Sequence, residues 1–443
     1  EFYEVLAYHY SKSDNQEKAW YYLKLSGQKA LRRCSNRQAF NFLITAYHKL
    51  TELAETNENK KEKINVSLLA ATAARPLAYP EGSLELLQEA ERLSKEIGDE
   101  NSLAELYSQL GLYYSVHGDL SLADRYREKC IYAAERVQNV ELMESLSFDL
   151  TLFSILSGDI SKAIAIAPKN ISLLEKTGKK SEFFGRSANS YAILCAMYGS
   201  SLSFMGQFEE GKKWHDKGLR FATDINHRET MGMVEFHFGV SALAQADGNE
   251  TKIHFQNSIN CLEEAQAILY LGQSYSGLGA GHLFLDEHEK ALHYIEKGLN
   301  FQMDLKIPFF LSLHYSLLSL VHYEMGKLEE AKRAIEEAVK LSQTNGEKMI
   351  KGISLSTQGR ILGKMDPSHL EDAEEYIRRG MTILDNLELR PFFSLGYLFL
   401  GELYRETGQR EKAIENLKKA EEHFRAMGVD YWLSKTLEVL DGL

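Results

Sequence analysis

The chain has 443 residues, 44% of them hydrophobic and 26% charged, with a formal net charge of −12. That balance argues against a nucleic-acid surface, since basic residues gather only in short runs such as Lys60-Lys61 and Arg378-Arg379. One uncharged run, residues 307–323, is too short and too polar to span a membrane and predicts a buried helix. Only six prolines, with Leu, Ala, Glu and Lys throughout, predict helix almost everywhere. Cys34, Cys130, Cys195 and Cys261 form no CxxC pair, and a reduced, cytoplasmic setting is expected. The first residue is Glu1 with no Met, so a piece of a longer protein is expected.

Taken in chain order, residues 1–80 predict an N-terminal helical segment containing one irregular helix. Helical stretches fall near 36–56, 61–76 and 82–97, separated by polar sequence such as "ETNENKKEK" at 55–63. Residues 81–443, continuous with that segment, predict a regular array. "LGLYYSVHGDLSLADRYREKC" (110–130) and "LGELYRETGQREKAIENLKKA" (400–420) share Leu-Gly, a Tyr three residues later, a turn Gly, and Ala twelve after the first Gly. This spacing resembles the tetratricopeptide repeat, in which a helix A and a helix B pack through small residues and bury their apolar stripes by stacking on neighbours.

With the early small residue of helix B as anchor, repeats are expected at Ala19, Ala123, Ala163, Gly211, Ala291, Ala331, Ala373 and Ala413. A degenerate repeat is expected near Ile253, and a further unit near Leu84. Gly118, Gly158, Gly206, Gly248, Gly326 and Gly408 lie five residues before their anchors, where a left-handed residue ends helix A. The expected fold is therefore all-α: a right-handed α-solenoid with a repeat of about 40 residues, longer than the basic unit of about 34.

Two glycine-rich stretches invite a nucleotide reading. "GQFEEGKK" (206–213) matches a phosphate loop except for Lys213 in place of Ser or Thr, and "SGLGAGH" (276–282) is similar in composition. A working phosphate loop follows a β-strand, whereas both stretches fall at repeat positions, so a helix turn and close helix packing are expected. His314 and His322 are eight apart on one apolar helix and form no metal motif; Glu329-Glu330 and Glu421-Glu422 are expected on solvated faces. No catalytic residue, metal or cofactor is expected.

What remains is a groove along the A helices. Its candidate residues are Glu235, Phe238, Gln245, Gln273, Ser276, Ser316, Tyr323, Glu402 and Arg405, a mixture suited to a peptide, protein or small ligand. The carboxylate clamp of chaperone-binding tetratricopeptide domains is excluded, because its Lys and Asn positions hold neither residue here. The start, "LAYHYSKSDNQEKAWYYLKLSGQKA" (6–30), and the end, "LFLGELYRETGQREKAIENLKKAEEHFRAMGVDYWLSKT" (398–436), resemble the helical tails of large signalling ATPases of the AAA-like, signal-transducing type. Such tails follow ATPase modules fused to class III adenylate/guanylate cyclases of the soluble-adenylyl-cyclase type or to kinases, and the maltose-regulon activator uses a comparable array. The resemblance implies a sensor or regulatory region acting on upstream ATPase and cyclase domains in cis. A structural oligomerisation scaffold is the alternative; a nucleotide-binding enzyme stands behind both.

Overall fold

The structure is a computed structural model that describes residues 2–137, 140–184 and 186–443. Its helices are α1 (Tyr3–Ser11), α2 (Gln16–Arg32), α3 (Asn36–Thr51), α4 (Asn57–Ala74), α5 (Ser83–Ile97), α6 (Glu100–Val116), α7 (Leu120–Val137) and α8 (Val140–Leu156). There follow α9 (Ile160–Lys176), α10 (Ser190–Phe204), α11 (Phe208–Asp224), α12 (Arg228–Gln245), α13 (Gly248–Glu264), α14 (Leu271–Leu283) and α15 (His288–Asp304). The last seven are α16 (Leu311–Glu324), α17 (Leu328–Asn345), α18 (Lys348–Met365), α19 (Leu370–Asn386), α20 (Arg390–Glu406), α21 (Arg410–Met427) and α22 (Asp430–Asp441). No strand occurs among the described residues.

Each even-numbered helix from α2 to α20 packs on the odd-numbered helix after it, and successive even-numbered helices touch along the inside of the coil. These are the A helices of ten A/B pairs, with α1 before them and α22 closing the end. The fourth residue of each B helix sits at the closest approach. Ala123, Ala163, Ala291, Ala331, Ala373 and Ala413 are at most 2% exposed there. At Gly211 a Cβ would stand 2.7 Å from the Gly199 carbonyl oxygen, so the helices cross at a distance only glycine allows. Helix starts are capped locally: Asp99, Asp159 and Asn189 each accept from the backbone N–H three residues on.

The structure corrects the phase of the first repeat. Ala19 lies on α2, an A helix, and the anchor of that pair is Ala39 on α3, fully buried. Gly27 of α2 faces Leu43 of α3 as Gly401 of α20 faces Leu417 of α21. The anchor of the next pair is Leu86, two residues beyond the expected Leu84, since α5 begins at Ser83. Likewise the degenerate repeat is anchored at Thr251, fully buried, whereas Ile253 is 52% exposed. The Ile253 slip has a local cause: the residue that ends α12 in the left-handed conformation is Ala246 (φ 57°), and Gly248, expected at that turn, is the first residue of α13. At the first pair the left-handed residue is Cys34 (φ 56°), so no turn glycine marks it.

The coil is wound tightly enough for successive turns to meet. Pro76 accepts hydrogen bonds from the Ile268 and Leu269 amides. Asn36 donates to Glu229 at 3.1 Å, and Gly118 packs against Pro308. Further along, Gly158 meets Leu387, Gly206 meets Met427, and Phe284 packs on Tyr431 and Trp432. This seam draws the A helices of successive turns around a common lumen.

Candidate functional site

The lumen is built from the sides of the A helices that face away from their B partners. Helices α14 and α16 carry apolar residues on both sides, one set against the B helices and one inward, which explains the long uncharged run. The inward set includes Leu152 and Ile155 of α8, Val240 and Leu243 of α12, Leu313 and Leu320 of α16, Ile353 of α18, and Phe392 and Leu395 of α20. Trp432 of α22 closes one end. Together they surround a cavity of about 170 Å³. Its few polar side chains are Ser200, His237, Gln273, Ser316 and Thr357. Gln273 donates from Nε2 to the Phe309 carbonyl at 3.1 Å, while its Oε1 has no hydrogen-bond partner in the protein.

The residues expected in one groove lie in four places. Gln273 and Ser316 line the lumen. Phe238 and Gln245 border a separate recess between α11 and α12; Phe238 stacks between His215 and His254 at 4.8 and 3.6 Å, and Gln245 donates to the Gly428 carbonyl across the seam. Tyr323, Glu402 and Arg405 gather around Arg360, whose guanidinium forms a two-pronged pair with Glu402 at 2.7 and 2.9 Å. Glu235 accepts from His254 and Asn257, and Ser276 bonds to His314; both side chains are used between neighbouring helices. The apolar lumen residues fall outside that set, which was counted from the repeat anchors.

A second, polar pocket of about 30 Å³ adjoins the lumen, with Tyr270 contributing to both walls. Arg75, from the short 3-10 turn after α4, and Arg186, from the connection before α10, both stack over the Phe148 ring, at 5.1 and 4.8 Å. Arg186 grips Asp149 with two bonds of 2.9 and 2.8 Å, and Arg75 Nη1 reaches the same carboxylate at 3.4 Å. Ser108 donates to Asp149 as well. Glu229 accepts from Ser187 at 2.6 Å and from Asn36. Burial pushes the Glu229 carboxyl above its ordinary range, against those bonds and the attraction of Arg75.

Neither glycine-rich stretch forms a phosphate loop. Gly206 has φ 83° at the turn between α10 and α11, and Lys213 pairs with Glu210 on the helix surface. Gly277 and Gly279 lie inside α14, where a Cβ would collide with Phe255 and Ile295. His314 is enclosed: Gln302 Oε1 can only accept, so Nε2 carries the proton and Nδ1 accepts from Ser276. Among the described residues no three His, Cys, Asp or Glu side chains converge as metal ligands, and no helix is long and apolar enough to cross a membrane.

Comparison with known proteins agrees with this architecture. A family model described as anaphase-promoting complex subunit 5 matches residues 254–357, and a tetratricopeptide-repeat model matches residues 396–422. No curated protein sequence matches the chain. A Rap protein solved with competence and sporulation factor superposes with a TM-score of 0.60 at 12% identity, covering 86% of this chain and 99% of that one. The Rap conjugation gene regulator of plasmid pLS20, solved with a Phr peptide, gives 0.53 at 15% identity, with 82% and 96% covered. At such identities the likeness shows the fold: an all-α solenoid of tetratricopeptide-like helix pairs. A signal-transduction ATPase with a tetratricopeptide sensor from Pyrococcus horikoshii aligns over 100% of this chain and 73% of its own, at 13% identity, but its TM-score of 0.43 carries no argument.

Proposed function

We propose that the chain is a non-catalytic regulatory superhelix that binds an apolar peptide, one large side chain of which enters the lumen of about 170 Å³. The observation that carries this reading is the lumen itself, an apolar chamber formed by helices from successive turns. An occupant would touch α8 and α10 on one side and α18 and α20 on the other, so its binding energy depends on how the turns are wound. That dependence is what a sensor needs, because a ligand shifts a conformational equilibrium only by its differential affinity for the two states. Of two neighbours of like fold, one was solved with a Phr peptide and one with competence and sporulation factor, and the first supports a peptide as occupant. The tail-like sequences at 6–30 and 398–436 support a place beside ATPase and cyclase or kinase domains of the same protein, whose activity the winding would report to.

The test measures winding directly. Spin labels on exposed Glu209 and Ala426 stand on the two sides of the seam where Gly206 meets Met427. Saturation with an apolar tetrapeptide amide is expected to change the interlabel distance. Binding without any change in distance would leave a scaffold and remove the sensor.

A further inference from the structure

The sequence Pro-Phe-Phe occurs at 308–310, before α16, and again at 391–393, in α20, and the two copies fold differently. Residues 391–393 belong to the first turn of α20, where the Phe393 amide donates to the Leu389 carbonyl at 2.9 Å. Residues 308–310 stay outside α16, which begins at Leu311 and has 14 residues against 17 in α20. They form a turn closed by the Leu311 amide on the Pro308 carbonyl at 3.0 Å. Phe310, third in that turn, has φ 53°. A left-handed conformation is costly for a bulky side chain, and a turn that needs one there ordinarily takes glycine or asparagine. The equivalent turn before α14 closes in the same way with Tyr270 at φ −103°, so the architecture does not require the strain.

Three polar groups hold the strained turn. Gln273 and Gln302 donate to the Phe309 carbonyl, at 3.1 and 2.8 Å, and the Glu347 carboxylate accepts from the Phe310 amide. Held in this way, Phe310 is half-buried and its ring forms part of the lumen wall. A second arrangement is available to the same residues. Wound onto α16 as 391–393 are wound onto α20, the Phe309 carbonyl would take the Leu313 amide, which now donates to Phe310 at 3.0 Å. Pro308, which packs against Gly118 across the seam, needs no change, since proline suits the first turn of a helix. Reversing the sign of φ at Phe310 redirects its Cα–Cβ bond, so the ring cannot keep its present place in the wall. We propose that Phe310 is the movable wall of the lumen and sets the size of the side chain admitted, yielding its place when a large one enters. This rests on the lumen being a ligand site and adds what selects its occupant. Strain stored beside a cavity favours such a switch, because leaving the strained state offsets the loss of the bonds that hold it.

The experiment uses the full 443-residue chain and two apolar tetrapeptide amides that differ at one position, leucine in one and adamantylalanine in the other. Adamantane is bulky and has no ring current. With 4-fluorophenylalanine placed at position 310, the adamantyl peptide is expected to shift the fluorine resonance saturably, and the leucine peptide to leave it in place. Phe310→Gly keeps a left-handed turn without strain and removes the ring. It is expected to bind the adamantyl peptide about tenfold more tightly and the leucine peptide within about twofold of its original affinity, which also shows that the variant is folded. A resonance unmoved at saturation with the adamantyl peptide, or an equal change in both affinities, would overturn the movable wall yet leave the lumen as a ligand site. Binding of neither peptide to either chain would overturn both.

Discussion

Two buried arginine clusters sit in this coil, and they tie different kinds of segment. Around Arg360, three guanidinium nitrogens meet two carboxylates: Nε and Nη2 bond to Glu402, and Nη1 reaches Glu324 at 3.5 Å. Tyr323 and Phe399 cover the faces at 4.2 and 4.8 Å. Around Asp149 two guanidiniums meet at one buried carboxylate, Arg186 with two bonds and Arg75 with one, and both stack over Phe148. The first cluster ties α18 to α16 and α20. The second ties α8 to the 3-10 turn after α4 and to the connection before α10, so it anchors segments outside the regular helix pairs.

The largest effect that sharpens this contrast is expected from Asp149→Asn. It removes the carboxylate that both Arg75 and Arg186 bind and should cost about 3–5 kcal/mol in urea unfolding. Glu402→Gln at the other cluster should cost about 3 kcal/mol, since Arg360 keeps Glu324. A loss at Asp149 smaller than that at Glu402 would contradict this order.

A smaller effect tests the packing that holds the A helices round the lumen. A Cβ at Gly277 would lie 2.3 Å from the Phe255 ring, so Gly277→Ala should destabilise by about 2 kcal/mol. Gly326, with open space around it but φ 73°, should lose about 1 kcal/mol on the same change, from backbone strain alone.

The pH dependence is gentler still for any one group. Burial holds His237 down to about 4 and His314 down to about 3. Each stays neutral in the folded chain while the unfolded chain takes a proton below about 6.5, so the unfolded state binds more protons there. Their contribution is therefore complete above pH 6.5 and is lost as pH falls from 6.5 toward those values. The slope is about 1.4 kcal/mol per pH unit for each. His314→Gln should remove one such increment between pH 6 and 5, measured as the change in unfolding free energy.

The repeat was legible in the sequence because its determinants are local. A small residue at the closest approach and a turn glycine five residues earlier recur at a fixed interval. Where the left-handed turn residue is Ala246, the same geometry exists without its usual letter, and Gly248 two residues on takes the helix start instead. The lumen was not legible, since it depends on meetings of residues far apart, such as Gly206 with Met427 and Pro76 with Ile268. Counting along repeats placed Gln273 and Ser316 at the cavity, but it could not reach Arg75 or Arg186. Those two belong to a 3-10 turn and a connection outside the repeat pattern. The available hint to the lumen was the uncharged run at 307–323, whose apolar residues exceed what one packed face can use.

The claim on which the rest depends is that the lumen takes up an apolar ligand, and Trp432 reports on it from within. With Trp20 and Trp214 replaced by phenylalanine, Trp432 remains the sole tryptophan. Titration with the apolar tetrapeptide amide is then predicted to give a saturable change in its emission. Val240→Phe, which narrows the cavity, should abolish that change without altering the helical circular dichroism. An emission that stays constant through the titration, or a saturable change that Val240→Phe leaves intact, would contradict the account.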